Sequence, residues 1–357
     1  MHIGQFSTCR SSELYFDDVQ SGFRPVSGLL SDLFHYFSDH NSQNHLNTDT
    51  MKPNLYYLLP TLPLVKAWGS LGHTTVAYLA TNFLTPSTST YLQTLLNDTS
   101  PSYLAHVATW ADSYRYTTAG RWTAPLHYID AADSPPTTCN LTFRRDCSSG
   151  CIISAISNYT ARLSDLTLLE TERVEAAKFL VHFLGDVHQP LHDEGLDRGG
   201  NGINVTFDGR VSNLHAVWDT AIPEKRAGGY SLDDAFMWAG NLSTAVRSGV
   251  FSHIAQSWLN GTDVQDSIGS SMIWATEANR LVCEVVLKEG KEALEGRELN
   301  GTYYKAAIDV VELQIAKAGY RYVSSSLGFR CIADNYRLAT WLNLIVEGKK
   351  ESYRELR

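Results

Sequence analysis

From residue 68 onward the apolar positions recur at helical spacing. Val76, Leu79, Ala80 and Leu84 make one stripe ahead of Pro86, and Ala177, Leu180, Val181 and Leu184 make another. Val310, Val311, Leu313 and Ile315 suit a third, late helix. Side chains three and four apart share a helix face, so each stripe predicts a helix with one face in the core. One stretch has a different period. Ile203-Asn-Val-Thr-Phe207 alternates and runs into Asp208-Gly209, a hairpin signal. Gly199-Gly-Asn-Gly202, just before it, reads as a turn, because it lacks the strand-to-helix context of a phosphate loop.

Two segments break the pattern. Met51 to Ala67 has Lys52, an apolar run from Leu55 to Val65 and a small residue at its end, like a signal peptide. It is too short to span a bilayer, which takes about 20 apolar residues. The polar, irregular residues 1–50 precede it, so translation is expected to begin at Met51, with 1–50 an over-extended gene model or a disordered leader. The mature domain is then 68–357, opening on Trp68. Within it, residues 322–336 interrupt a helical pattern that resumes at Leu338, and Tyr-Arg stands on both sides, at Tyr320-Arg321 and Tyr336-Arg337. Translated intron sequence and a loop between two helices both account for this.

At 357 residues the chain can bury a substantial core. Its formal charge of −9 argues against bulk capture of nucleic acid or anionic membrane. A polyanionic substrate stays open, because bound divalent cations dominate a local field. Seven N-x-S/T sequons, at Asn97, Asn140, Asn158, Asn204, Asn241, Asn260 and Asn300, all follow Trp68 and suit a secreted glycoprotein. Cys139, Cys147, Cys151 and Cys283 can form two disulfides in an oxidising compartment. Cys9 and Cys331 lie in the distrusted segments.

The candidate chemistry centres on His182-Phe-Leu-Gly-Asp186-Val-His188-Gln-Pro190-Leu-His192. His182 and Asp186 share a helix face, and Pro190 breaks that helix so that His192 can return from another direction. His215 and Asp219 repeat the four-residue spacing. Imidazole nitrogen with carboxylate oxygen suits zinc. His188 could join the ligands on spacing alone. Asp112 and His127 are individually weak signals, and His106 and His253 read as structural. A free amine at Trp68, its carbonyl oxygen and His73 could grip a metal together.

With these residues in place the chain resembles the zinc-dependent nucleases of the S1/P1 type, and more distantly the bacterial zinc phospholipases C. The motifs that carry the resemblance are Trp68-Gly-Ser-Leu-Gly-His73, Trp110-Ala-Asp112, Leu126-His-Tyr-Ile-Asp130, His182-Phe-Leu-Gly-Asp186, Gln189-Pro-Leu-His192, Gly199-Gly-Asn201, Asn213-Leu-His215, Trp218-Asp219 and Glu312 to Arg321. The resemblance implies an all-α, single mostly helical domain of the zinc phospholipase C and P1 nuclease fold, with a small β-hairpin. It also implies three zinc ions. Asp112, His127, His182 and Asp186 would hold one. Trp68 and His73 would hold a second, bridged by Asp186, and His192, His215 and Asp219 a third. The implied disulfides are Cys139–Cys283 and Cys147–Cys151. His188 falls where family members accept non-ligand residues, which makes it a supporting residue.

The implied activity is that of a secreted, monomeric endonuclease and 3′-nucleotidase. It would cleave the P–O3′ bond of single-stranded DNA or RNA to leave 5′-phosphates, and the same bond of 3′-nucleotides. Asp112 would orient the attacking water and Arg115 would face the phosphate. Tyr128 would stack on a base, Asp130 would bind its edge, and Asn201 would line the same pocket. Arg198 departs from an apolar residue in some fungal relatives, where it can shift base preference or meet another phosphate. Arg210 and Ala221 replace tyrosines of an accessory nucleotide site, so none is expected. The same metals serve zinc phospholipases C, but Tyr128 with Asp130 favours a nucleobase over a lipid headgroup. A non-catalytic glycoprotein that binds nucleic acid or sugars is a third reading, opposed by the complete ligand set.

Overall fold

The structure, a computed structural model, describes residues 68–321, 341–346 and 348. The leader, the signal-like segment and the suspected insert lie outside these residues. In chain order the helices are α1 (Ser70–Thr81), α2 (Pro86–Leu96), α3 (Tyr103–Val107), α4 (Trp110–Tyr114), α5 (Phe143–Asp146), α6 (Ile152–Ser164) and α7 (Glu170–Asp186). Then come α8 (Leu214–Ala216), α9 (Ile222–Ala227), α10 (Leu232–Arg247), α11 (Ser267–Leu281), α12 (Lys291–Leu294) and α13 (Thr302–Arg321). Residues 341–346 are also helical.

Side-chain caps set several of the helix starts. Thr85 Oγ1 accepts from Thr88 N at 3.2 Å, with Pro86 at the first helical position of α2. Ser231 and Asp234 cap α10 reciprocally, at 3.1 and 2.9 Å. The first predicted stripe runs too far. α1 stops at Thr81, where Asn82 and Phe83 bond back to Leu79 and Ala80, so Leu84 packs on the core from outside the helix. Pro86 disfavours helical geometry at Thr85, which separates the two helices.

α1 is buried on every side from Leu71 to Ala80, and α7 is buried throughout its last turns. Both are core helices, which is why a single stripe understates them. α1 packs against α10 and α13, and α7 against α6. α13 turns Ala307, Val311, Ile315 and Ala318 inward. Past the undescribed stretch, Trp341 Nε1 donates to Thr160 Oγ1 at 2.7 Å, and its ring meets Trp274 edge-on, which returns the chain to the core beside α6 and α11.

The hairpin forms as predicted. β1 (Asn204–Phe207) pairs antiparallel with β2 (Arg210–Asn213). Asp208 and Gly209 both have positive φ, as a two-residue primed turn requires, and Glu298 accepts from both of their N–H groups. The disulfides are Cys139–Cys283 and Cys147–Cys151. Six sequon asparagines are exposed; Asn300 is half-buried, and its amide donates to Asp208. No described helix is long and apolar enough to cross a membrane.

α13 crosses α1 at Gly319, where an added Cβ would fall 2.7 Å from Leu79 Cγ. Alanine normally favours a helix over glycine by up to about 1 kcal/mol. Here overpacking, typically about 1–3 kcal/mol, opposes that gain. Gly319→Ala is expected to lower unfolding free energy by about 1–2 kcal/mol in a denaturant titration. A more stable variant would show that the two helices have room to part.

Candidate metal centre

The centre is built around the C-terminal end of α7. His182 and Asp186 are wholly buried and one turn apart, with Nε2 to Oδ2 at 3.2 Å. His182 Nδ1 donates to the carbonyl of Ala108 at 2.7 Å. A carbonyl only accepts, so the proton sits on Nδ1 and the Nε2 lone pair faces the centre. Asp186 divides its two oxygens. Oδ2 lies 3.1 Å from His127 Nδ1, while Oδ1 lies 3.1 Å from His73 Nε2. His73 comes from α1 and stacks on His182 with ring centroids 3.8 Å apart. Asp112 of α4 turns Oδ1 to within 3.6 Å of His182 Nε2 and 3.9 Å of His127 Nδ1.

Trp68 is wholly buried beside this group. Its indole donates to Gly185 O at 3.0 Å, and Gly69 N–H donates to Asp219 O at 2.7 Å. Gly69 and Gly72 of its motif, and Gly185 of α7, are needed for contact. An added Cβ at Gly72 would press on Trp68, one at Gly185 on His73, and one at Gly69 on Thr220.

A second cluster joins His192, His215 and Asp219. His192 sits in the 3-10 turn Pro190–Asp193, and its Nδ1 donates to His127 O at 2.7 Å. That bond links the two clusters through one backbone carbonyl. Asn213 caps α8 through Ala216 N, which fixes the helix that carries His215. His215 Nδ1 donates to Gly199 O at 2.7 Å, leaving Nε2 3.0 Å from Asp219 Oδ2. Residues 197–200 all have positive φ, and two of them are glycines that tolerate it.

The donors are matched to cations. Nε2 of His73, His192 and His215, both oxygens of Asp112 and Oδ1 of Asp186 are buried without an aligned hydrogen-bond partner. Leaving a buried polar atom unsatisfied costs about 1–3 kcal/mol. A divalent ion satisfies several at once, and a mixed imidazole and carboxylate set suits zinc. Electrostatics agree. Burial opposes charge on Asp186 and on Asp112, yet the facing histidines hold both carboxyls below their ordinary range. Burial likewise disfavours charged His182, but Asp186 and Asp112 push it up to about 9. Burial takes His127 down to about 4 and also lowers His73 and His192.

Arg115 is buried beside Asp112, NH2 to Oδ1 at 3.1 Å, and its Nε and NH2 have no aligned hydrogen-bond partner. Tyr128 is partly exposed and Asp130 exposed. The segment that carries them lies against the glycine-rich loop, with Ile129 N donating to His192 O and Gly195 N to Ala131 O. Asn201 spends its amide on Arg198 O at 2.8 Å, and the Arg198 side chain is exposed.

His188 faces away from both clusters. Its Nδ1 donates to Leu184 O, and its Nε2 accepts from Arg321 NH1 at 3.2 Å. Burial first, then the Arg321 charge, hold it neutral. The i, i+4 pair His188–His192 is broken by Pro190, so the spacing carries no shared face. His106 pairs with Asp98 at the surface, 2.7 Å apart, and His253 is exposed.

Two contributors carry no obvious sequence signal. Gln189 Nε2 donates to Asp219 Oδ1 at 2.5 Å and orients that carboxylate. Asp193 is wholly buried with both oxygens unpartnered, and burial raises its carboxyl well above the usual range. Only their place within and beside the His182–His192 motif hinted at either. A further grouping, Asp133, Cys139 and Glu194, is disqualified as a metal site because the Cys139 sulfur is bonded to Cys283.

The S1/P1 Nuclease family profile matches residues 68–325. Nuclease PA3 from a Penicillium species and Nuclease P1 from Penicillium citrinum are each 49% identical over 279 residues, which is 78% of this chain and 97% of theirs. Nuclease S1 from Aspergillus oryzae is 48% identical over 283 residues, 79% of this chain and 93% of its own. Because the match spans every donor of both clusters, this chain belongs to the S1/P1 nuclease family and is a nuclease, a hydrolase of nucleic acid.

Proposed function

We propose that this nuclease is a secreted zinc enzyme that cleaves single-stranded DNA and RNA to leave 5′-phosphate and 3′-hydroxyl ends, and that releases the 3′-phosphate of nucleotides as inorganic phosphate. The observation that carries this reading is the convergence of buried, unsatisfied imidazole and carboxylate atoms from α1, α4, α7, α8 and two tight turns. Asp112, His127, His182 and Asp186 would hold one ion. His73 and Asp186, with the amine and carbonyl oxygen of Trp68, would hold a second. His192, His215 and Asp219 would hold a third. Bound zinc supplies Lewis acidity at the phosphate oxygens.

The protein groups do the rest. Asp112 accepts a hydrogen bond from the attacking water and aims its oxygen at phosphorus. The P–O3′ bond breaks as the new P–O bond forms, the attacking water sheds a proton to solvent, and the departing O3′ takes one up. Arg115, held against Asp112 with donors to spare, meets the charge growing on the non-bridging oxygens. Tyr128 stacks on a base, and Asp130 accepts hydrogen bonds at the base edge. Asn201 lines that pocket, and Arg198 is free to approach a second phosphate. A base reaches Tyr128 only when unstacked, which favours single strands. Export would follow removal of residues 51–67, leaving 1–50 as gene-model sequence or leader. The buried Trp68 supports a mature start there, since its motif is packed as part of the centre. The six exposed sequon asparagines are open to glycosylation.

Denatured DNA or RNA should yield 5′-mononucleotides, and a strong chelator should abolish the release until zinc is restored. Turnover that survives complete metal removal would overturn the mechanism. Arg115→Ala should lower kcat by about 10²–10³-fold, as loss of one transition-state donor does, with zinc content unchanged; an unaltered kcat would remove Arg115 from the chemistry. Edman sequencing of protein purified from culture medium should begin at Trp68, and a start elsewhere would take the terminal amine out of the ligand set.

A further inference from the structure

Seven of the eight tryptophans are buried or half-buried, and Trp122 is the exception at 60% exposed. It lies in the 3-10 helix Arg121–His127, the element that also delivers His127 to the metal centre. Such a helix repeats every three residues, so Trp122 and Pro125 fall in one row, and the chain passes into extended geometry at Tyr128, three residues further on. All three are exposed, while Thr123 and His127 on the other side are buried. A rise of about 2.0 Å per residue sets the backbone of Trp122 about 12 Å from that of Tyr128 along the segment.

The mounting is rigid. Thr123 N and Oγ1 both donate to Gly120 O, Gly120 N donates to Thr117 Oγ1, and Thr117 Oγ1 donates to Tyr114 O at 2.8 Å. A Cβ on Gly120 would collide with Tyr114 O, so the loop is pressed against the end of α4, where Arg115 begins. The Arg115 guanidinium lies over the Tyr116 ring at 5.3 Å, and Arg121 is exposed next to Trp122. Two cations, Arg115 and Arg121, thus stand in sequence among the aromatics Tyr116, Trp122 and Tyr128, and such pairing holds single strands by backbone charge and base stacking.

Resting on the nucleic-acid reading of the centre, we propose that Trp122 is a second stacking platform for the substrate, taking a nucleobase of the strand beyond the one at Tyr128. At a stacked spacing of about 3.4 Å the gap accommodates three to four nucleotides, and fewer when the strand is stretched. The contact serves oligonucleotides and polymers, and a mononucleotide cannot reach it.

The test compares 3′-AMP with a single-stranded hexanucleotide. Trp122→Ala should raise KM for the hexanucleotide about 5- to 100-fold, the range set by one lost base stack, with kcat held. Its 3′-AMP kinetics should be unchanged, and Trp122→Phe should recover most of the loss. On the unsubstituted enzyme, a hexanucleotide carrying 5-bromouracil should photo-crosslink to the peptide containing Trp122. An unchanged hexanucleotide KM, an equal loss on 3′-AMP, a failed rescue by Phe or a crosslink elsewhere would each overturn the proposal. Unsubstituted enzyme that hydrolyses neither substrate would count against the metal-centre reading instead.

Discussion

The Asp186 carboxylate is the constraint on which the rest of the architecture depends. It is wholly buried, it ends α7, and its two oxygens face different helices. Desolvation alone would protonate it. The imidazoles of His182, His73 and His127 reverse that, and in doing so they fix where α1 and the 3-10 turn Arg121–His127 must lie. A buried anion is tolerated only when it is paired and hydrogen-bonded. Function and fold are therefore tied at one carboxyl group.

Around it, backbone carbonyls set the ring orientation. Ala108, His127 and Gly199 each accept from an Nδ1, which leaves the corresponding Nε2 of His182, His192 and His215 directed inward. Outer partners of this kind fix tautomer and basicity, and their loss costs roughly 10–100-fold in metal affinity or activity. Because the acceptors are main chain, the orientation depends on loop conformation. That explains the left-handed residues 197–200 and the lack of room for a Cβ at Gly199.

The far side of α7 is braced by a second polar network. Arg321, buried at the end of α13, donates to Trp258 O, Glu277 and His188, and Gln314 donates to the His188 carbonyl. Lys317 joins Glu277 at 3.0 Å. This ties the residues just after α7 to α11 and α13, ahead of the turn at Pro190. His188 is thus a strut in the wall of the centre, and its neutrality lets it accept where a charged ring would repel the guanidinium.

Much was legible in the sequence. Helical periodicity, the hairpin turn at Asp208-Gly209 and the paired His-x-x-x-Asp spacings are local, because a helix places residues four apart on one face whatever surrounds it. The ordered motifs then carried the family, its helical class and the histidines and aspartates that meet in the two clusters. Tertiary structure decided what local spacing does not encode. It separated His188 from the ligands because Pro190 turns the chain between it and His192. It ended α1 before Leu84 and buried α1 on every side because helices pack around it. It brought Gln189 onto Asp219 through a contact that depends on where distant segments meet. Short-range geometry is written in residue order; which lone pairs converge in a dry interior is settled only when the whole chain has packed.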